Sequence, residues 1–123
     1  MIVSYDSWGI LDGTLETLFA PIESTKFALM FASCNSGGMF DDDDDLQKAG
    51  RVIAAACEAD QYGWDYRRLR NTLWAYYFVD LGLLRNNAAS IEGAHAYAYP
   101  HVVAEQPDSQ SQISDNYPGD FVL

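Results

Sequence analysis

Six consecutive residues, Phe27-Ala28-Leu29-Met30-Phe31-Ala32, carry no polar side chain. A run of strand length with no face left for water reads as a strand buried on both sides, as in a parallel sheet between helices. It is followed at once by Ser33-Cys34-Asn35-Ser36-Gly37-Gly38-Met39, which places two small hydroxyls, a thiol and two glycines together. Open α/β sheets put ligands and reacting groups just past the carboxyl ends of their strands. A thiol at Cys34 can therefore face a cleft while a rigid strand holds its backbone. Gly37 and Gly38 are expected to turn the chain sharply and to let a substrate approach the main chain closely. Two readings of Cys34 follow: a nucleophile, or the small buried hydrophobe that a cysteine more often is. Cys57, which closes a second apolar run, reads as the hydrophobe. Ser36 reads as a turn hydroxyl, because the Gly-x-Ser-x-Gly elbow of serine hydrolases is absent.

The motif Ser33 to Met39, at the end of an apolar strand, resembles the nucleophile segment of caspase-like cysteine peptidases, particularly the prokaryotic relatives of metacaspases, in which such a strand ends in Asp-Ser-Cys-x-Ser-Gly-Gly. Further segments follow in the family's order. Tyr5-Asp6-Ser7 is similar to the stretch after the catalytic histidine, and Gly50 to Cys57 to the next sheet strand. Trp74 to Leu84 resembles the helix that carries a tyrosine pair, here Tyr76-Tyr77. Gln106-Pro107 and Asn116-Tyr117-Pro118-Gly119-Asp120 resemble the closing segment. The resemblance implies an α/β fold, a partial caspase-like open sheet, mostly parallel and flanked by helices. It implies endopeptidase chemistry on a protein or peptide substrate, with Cys34 as nucleophile. The oxyanion would be held by amides of the turn that Ser36, Gly37 and Gly38 form, or by that of Cys34 itself.

Two departures qualify that expectation. In the family a histidine of a Ser-Gly-His-Gly type motif precedes the cysteine, by about 50 residues in caspases. The residues before Cys34 include no histidine. The 123 residues are therefore expected to be the C-terminal part of a caspase-like domain that lacks the first strands and the general base. Such a chain would be nearly inactive alone, with a histidine-bearing segment or another chain covering the open edge of the Phe27–Ala32 strand. The alternative is a non-catalytic remnant that serves as a binding or structural module. Metacaspase-like enzymes also place an aspartate two residues before the cysteine, to hold a basic substrate side chain. Ala32 stands there instead, which removes the basis for expecting Arg or Lys specificity.

Eighteen acids against seven bases give a formal charge of −11. That balance excludes nucleic acid as the expected partner, since phosphate neutralisation needs clustered Lys and Arg, and it disfavours anionic membranes in the same way. Arg67, Arg68 and Arg70 form too small a basic cluster to change this. No signal peptide or membrane span is evident, so the cytoplasm is the default compartment, with any address signal lying upstream. Two cysteines make no disulfide framework.

The loudest charge feature is the acidic run 41–45. Five adjacent carboxylates repel one another and read first as a solvated loop or frayed helix start. The alternative is a calcium site with Asp41, Asp43 and Asp45 as ligands. The resemblance permits it, since some metacaspase relatives are calcium-activated, but the spacing and turning glycine of an EF-hand are missing. No cofactor is expected otherwise.

Along the rest of the chain, Asp12 or Thr14 is expected to cap a helix with Leu15, Leu18, Phe19 and Ile22 inward, stopped near Ala20 by Pro21. Arg51 to Cys57 is a second buried strand. The polar loop 58–65 follows at that strand's carboxyl end, and Tyr62 or Trp64 can wall a substrate cleft there. Asp6 and Ala32 complete the candidate cleft. Thr72 to Leu84 is an amphipathic helix with Leu73, Tyr77, Leu81 and Leu84 on its buried face. Ser90 caps another that ends near Pro100. His95 and His101 read as packed or surface histidines. A polar turn region after Pro107 leads to a short extended segment, Phe121-Val122-Leu123.

Overall fold

A computed structural model describes residues 2–3, 9–40 and 46–123. Ile2–Val3 (β1) pairs antiparallel with Gly9–Ile10 (β2). Asp12–Phe19 is helix α1, Phe27–Phe31 strand β3, Ser36–Met39 a 3₁₀ turn and Arg51–Ala55 strand β4. Asp65–Tyr66 (β5) and Asn71–Thr72 (β6) form a hairpin. Leu73–Ala75 (α2) runs directly into a π-helical segment, Tyr76–Leu83. Helix α3 covers Ile91–Glu105 and strand β7 covers Gln112–Asp115.

The sheet that positions everything else has the order β3-β4-β7. Strand β3 lies parallel to β4, with Phe27 opposite Arg51 and Phe31 opposite Ala55. Strand β7 lies antiparallel on the other side of β4. The fold is thus mixed α/β, and the sheet has one parallel and one antiparallel pair instead of being mostly parallel. The polar stretch that carries β7 contains one apolar residue, Ile113, so its pairing with β4 left little trace in the hydrophobic pattern.

Side chains alternate across a strand, and β4 sends them into two separate cores. Val52 and Ala54, with Ala56 just beyond, join Leu73, Trp74, Phe78, Ile91, Ala94, Ala98, Val102 and Phe121 on one face. Ile53 and Ala55 join Phe31, Met39, Phe40 and Leu46 on the other, with Leu15, Phe19 and Leu29 against them. Helices therefore cover both faces of β4, as its unbroken apolar sequence requires. Strand β3 lies at one end of the sheet among the described residues, and it is less buried than a strand covered on both faces would be, since Met30 is 40% exposed and Phe31 alone of its five residues is buried.

Helix α1 stops at Phe19 before Pro21, as the sequence predicts, but its inward face is rotated. Leu18 and Ile22 are exposed, while Leu15 and Phe19 face the core and Glu16 is buried. Glu16 binds Lys48 and Arg51, and this ion pair to the start of β4 sets the rotation. Leu11, with no side-chain cap, occupies the position expected for Asp12 or Thr14.

Thr72 caps α2, its hydroxyl accepting from the Ala75 amide at 3.0 Å. Past it the bonding widens to five residues, as in the 2.9 Å bond from the Leu84 amide to the Val79 carbonyl. Leu73, Trp74, Phe78 and Gly82 face inward, Leu73 as regular helical spacing predicts, whereas Leu84, beyond the widened turns, is left in solvent. Ser90 caps α3 as expected, accepting from the Gly93 amide at 3.1 Å. The helix does not end at Pro100 but continues to Glu105. Buried Ala98 and Val102 bracket the proline and hold the helix together across it. Phe121 is no strand residue. It donates its amide to the Glu92 carboxylate at 3.0 Å and accepts from the Ile91 amide at 3.0 Å, which fastens the closing segment to α3. Among the described residues no helix is long and apolar enough to cross a membrane.

Candidate functional site

Strand β3 ends at Phe31, and Ala32 and Ser33 carry the chain past the carboxyl end of the sheet to Cys34, whose side chain is exposed. The reversal is made by Asn35, with φ 56°, in the left-handed region that asparagine tolerates better than most residues. Its amide donates to the Gln61 carbonyl at 2.8 Å and its side-chain Nδ2 to the Ala59 carbonyl at 2.8 Å. The thiol itself donates to the Gly63 carbonyl at 3.4 Å. Loop 58–64, at the end of β4, thus forms the seat on which the Cys34 turn rests.

The glycines act differently from the sequence expectation, because Asn35 makes the sharp turn. At Gly37 a β-carbon would lie 2.6 Å from Gln112 Oε1 and 2.9 Å from both the Ala59 nitrogen and the Cys57 oxygen. The close approach there is made by the protein's own backbone. The Gly37 amide donates to the Cys57 carbonyl at 2.8 Å, and the Gly38 amide to the Asn35 carbonyl at 3.1 Å. Ser36 is buried, and its hydroxyl accepts from the Cys57 amide at 3.3 Å, which ties this turn to the segment that follows β4. Among the described residues, the Cys34 and Ser36 amides of this turn have no hydrogen-bond partner. Ser33 Oγ, next to Cys34, is buried and likewise unpartnered among them.

Tyr62 and Trp64 flank Gly63 and contact each other edge to face, with centroids 6.5 Å apart. They are 64% and 42% exposed, which is unusual for large aromatics, and they stand next to the residue that touches the thiol. The fold therefore gathers Ala32, Cys34, Tyr62 and Trp64 at one end of the sheet. Asp6, Asp41, Asp43 and Asp45 lie outside the described residues. Among the described residues no group of three or more His, Cys, Asp and Glu side chains could hold a metal ion.

The two histidines belong to other surroundings. His95 is half-buried on α3, its Nδ1 3.5 Å from Ser111 Oγ, and burial pushes its pKa down. With Phe40, Gln47, Gln112, Ile113 and Ser114 it lines an open groove of about 580 Å³, which sequence reasoning missed because its walls come from three stretches well apart in the chain. His101 is exposed and stacks on Tyr77 at 4.9 Å. Tyr77 donates its hydroxyl to Glu105 at 2.7 Å, and that bond, with burial, pushes its pKa up to about 12. Among the described residues the Cys34 thiol meets the Gly63 carbonyl and no imidazole. No family model matches this chain significantly, and neither does any curated protein or solved structure.

Proposed function

We propose that the chain is the nucleophile-bearing part of a caspase-like cysteine endopeptidase, with Cys34 as the attacking group. The observation that carries this reading is the exposed Cys34 thiol just beyond the carboxyl end of β3, beside the parallel strand β4. In the proposed reaction the thiolate adds to a peptide carbonyl, the amine leaves with a proton from an imidazole, and water hydrolyses the thioester. The Cys34 amide is the donor best placed to steady the oxyanion, since the Gly37 and Gly38 amides already serve the fold. Tyr62 and Trp64 wall the cleft for a protein or peptide substrate.

The imidazole has to come from a histidine-bearing segment or from another chain on the side of β3 that has no neighbouring strand among the described residues. A missing acid–base group costs about 10²–10⁴-fold in rate, so these residues alone are nearly inactive as a peptidase. The commitment of the Gly37 and Gly38 amides favours a second reading, a caspase-like remnant that binds without reacting. The two are separated by labelling Cys34 with a peptidyl electrophile, alone and with an added peptide carrying a Gly-His-Gly strand. Acceleration by the added strand, abolished in Cys34→Ala, is expected. Equal, slow labelling in both cases discards the nucleophile and leaves the binding module.

A further inference from the structure

We propose that Cys34 and Cys57 are an oxidisable pair, in which Cys34 takes oxygen from a hydroperoxide and Cys57 then closes a disulfide onto it. They are the chain's two cysteines, both free thiols, one exposed and the other buried. The parallel ladder sets Phe31 opposite Ala55 and continues in the 2.9 Å bond from the Ala56 amide to the Phe31 carbonyl. Two residues further on, Ser33 faces Cys57, whose sulfur lies 3.5 Å from the Ser33 carbonyl oxygen. Cys34 is the next residue. A carbonyl oxygen and the next residue's Cα are about 3 Å apart, so the Cys34 Cα lies within about 6.5 Å of the Cys57 sulfur, and the pair closes once the turn that carries Cys34 rotates its side chain inward.

The same short loop holds both sulfurs. Cys57 Sγ donates to the Gln61 carbonyl and Cys34 Sγ to the Gly63 carbonyl, each at 3.4 Å. Displacing that loop releases Cys34 and removes one contact from Cys57, whose sulfur keeps the Ser33 carbonyl and the Ser36 hydroxyl beside it. Access decides the order of events, because an oxidant in solution reaches Cys34 and not Cys57. The Cys34 thiolate attacks the hydroperoxide, the O–O bond breaks, an S–O bond forms, and the alkoxide leaves as an alcohol with the thiol's proton. The Cys57 sulfur then attacks the sulfenic sulfur. The S–O bond breaks, the S–S bond forms, and hydroxide departs with the Cys57 proton as water. The pair goes beyond the peptidase reading and does not depend on it.

The test treats the reduced, full chain with hydrogen peroxide in native buffer and maps its peptides without reduction. A Cys34–Cys57 cross-linked peptide is expected, with both thiols lost to alkylation and recovered by a dithiol reductant. In Cys57→Ser the cross-link disappears, and Cys34 is captured as a sulfenic acid by a 1,3-dione. Wild-type chain that carries Cys34 to the sulfinic acid with no cross-link at any dose overturns the proposal, and that measurement stands even if the variant fails to fold. Cross-linking without peptidyl-electrophile labelling sinks the peptidase reading alone, and labelling without cross-linking sinks this one alone.

Discussion

Gly37 and Gly13 show how differently two glycines can constrain one chain. A β-carbon at Gly37 meets backbone atoms of Cys57 and Ala59, which belong to the end of β4 and cannot swing away, whereas one at Gly13 meets nothing within 4 Å. Gly37→Ala should therefore destabilise the chain by about 1–3 kcal/mol, the usual range for overpacking. Gly13→Ala, in α1, should stabilise it by up to about 1 kcal/mol, because alanine restricts the unfolded chain and favours helix. Urea unfolding of the two variants checks both, and like signs would refute the assignment. Cys34→Ala removes an exposed thiol with one bond to a carbonyl and should change stability by no more than about 0.5 kcal/mol. Any loss of labelling in that variant then belongs to the sulfur and not to the fold. At this scale the position of Cys34 was legible, because an apolar strand followed by small polar residues has few other places to put a thiol. The role of Gly37 was not, because the atoms that crowd it come from residues 57, 59 and 112.

Elements were legible where one face or both obeyed a simple period, and illegible where a tertiary contact outvoted the period. Strand β4 announced itself by an apolar run, and α1 by its proline stop. The inward face of α1 could not be read, because it is set by Glu16. Burial alone would raise the Glu16 carboxyl, but hydrogen bonds and attraction from Arg51 and Lys48 outweigh it and hold the pKa below the ordinary value of 4.5. The folded-state pKa is thus depressed, so the ion pair's contribution is present above the unfolded value and is lost as pH falls through the folded one. Glu16→Gln should cost about 2 kcal/mol at neutral pH, below the usual figure for a broken buried pair because Lys48 is half exposed and Arg51 keeps its bond to the Leu46 carbonyl. The gap between variant and wild type should close on acidification below pH 4.5, followed by urea midpoints. A gap that stays constant with pH would show that shape, not charge, is what Glu16 supplies. Helix α3 offers the converse case. Pro100 lacks the amide that would reach the Ala96 carbonyl, and only the packing of Ala98 and Val102 carries the helix past it. Pro100→Ala should stabilise the chain by about 1–2 kcal/mol in thermal or urea unfolding, the restored bond being partly offset by a freer unfolded chain.

For the whole molecule, one feature of the sheet and one of the charge oppose each other. Strand β3 has a neighbour on one side only among the described residues, and its Met30 is 40% exposed. A flat apolar edge of this kind templates pairing with another strand. Against that stands the formal charge of −11, which sets copies of the chain apart. The repulsion reaches only about 8 Å at physiological ionic strength and shortens further as salt rises, while hydrogen bonding along an edge does not weaken in the same way. Self-association should therefore grow with both protein concentration and sodium chloride, the reverse of an assembly held by opposite charges. Met30→Lys puts on the strand the kind of side chain that natural edges use to refuse partners, and it should return the chain to monomer at the same salt. Sedimentation velocity on both proteins, from low salt to 1 M, reads the outcome. Wild-type chain that stays monomeric throughout would refute the open edge, and the histidine-bearing partner would then need another point of entry.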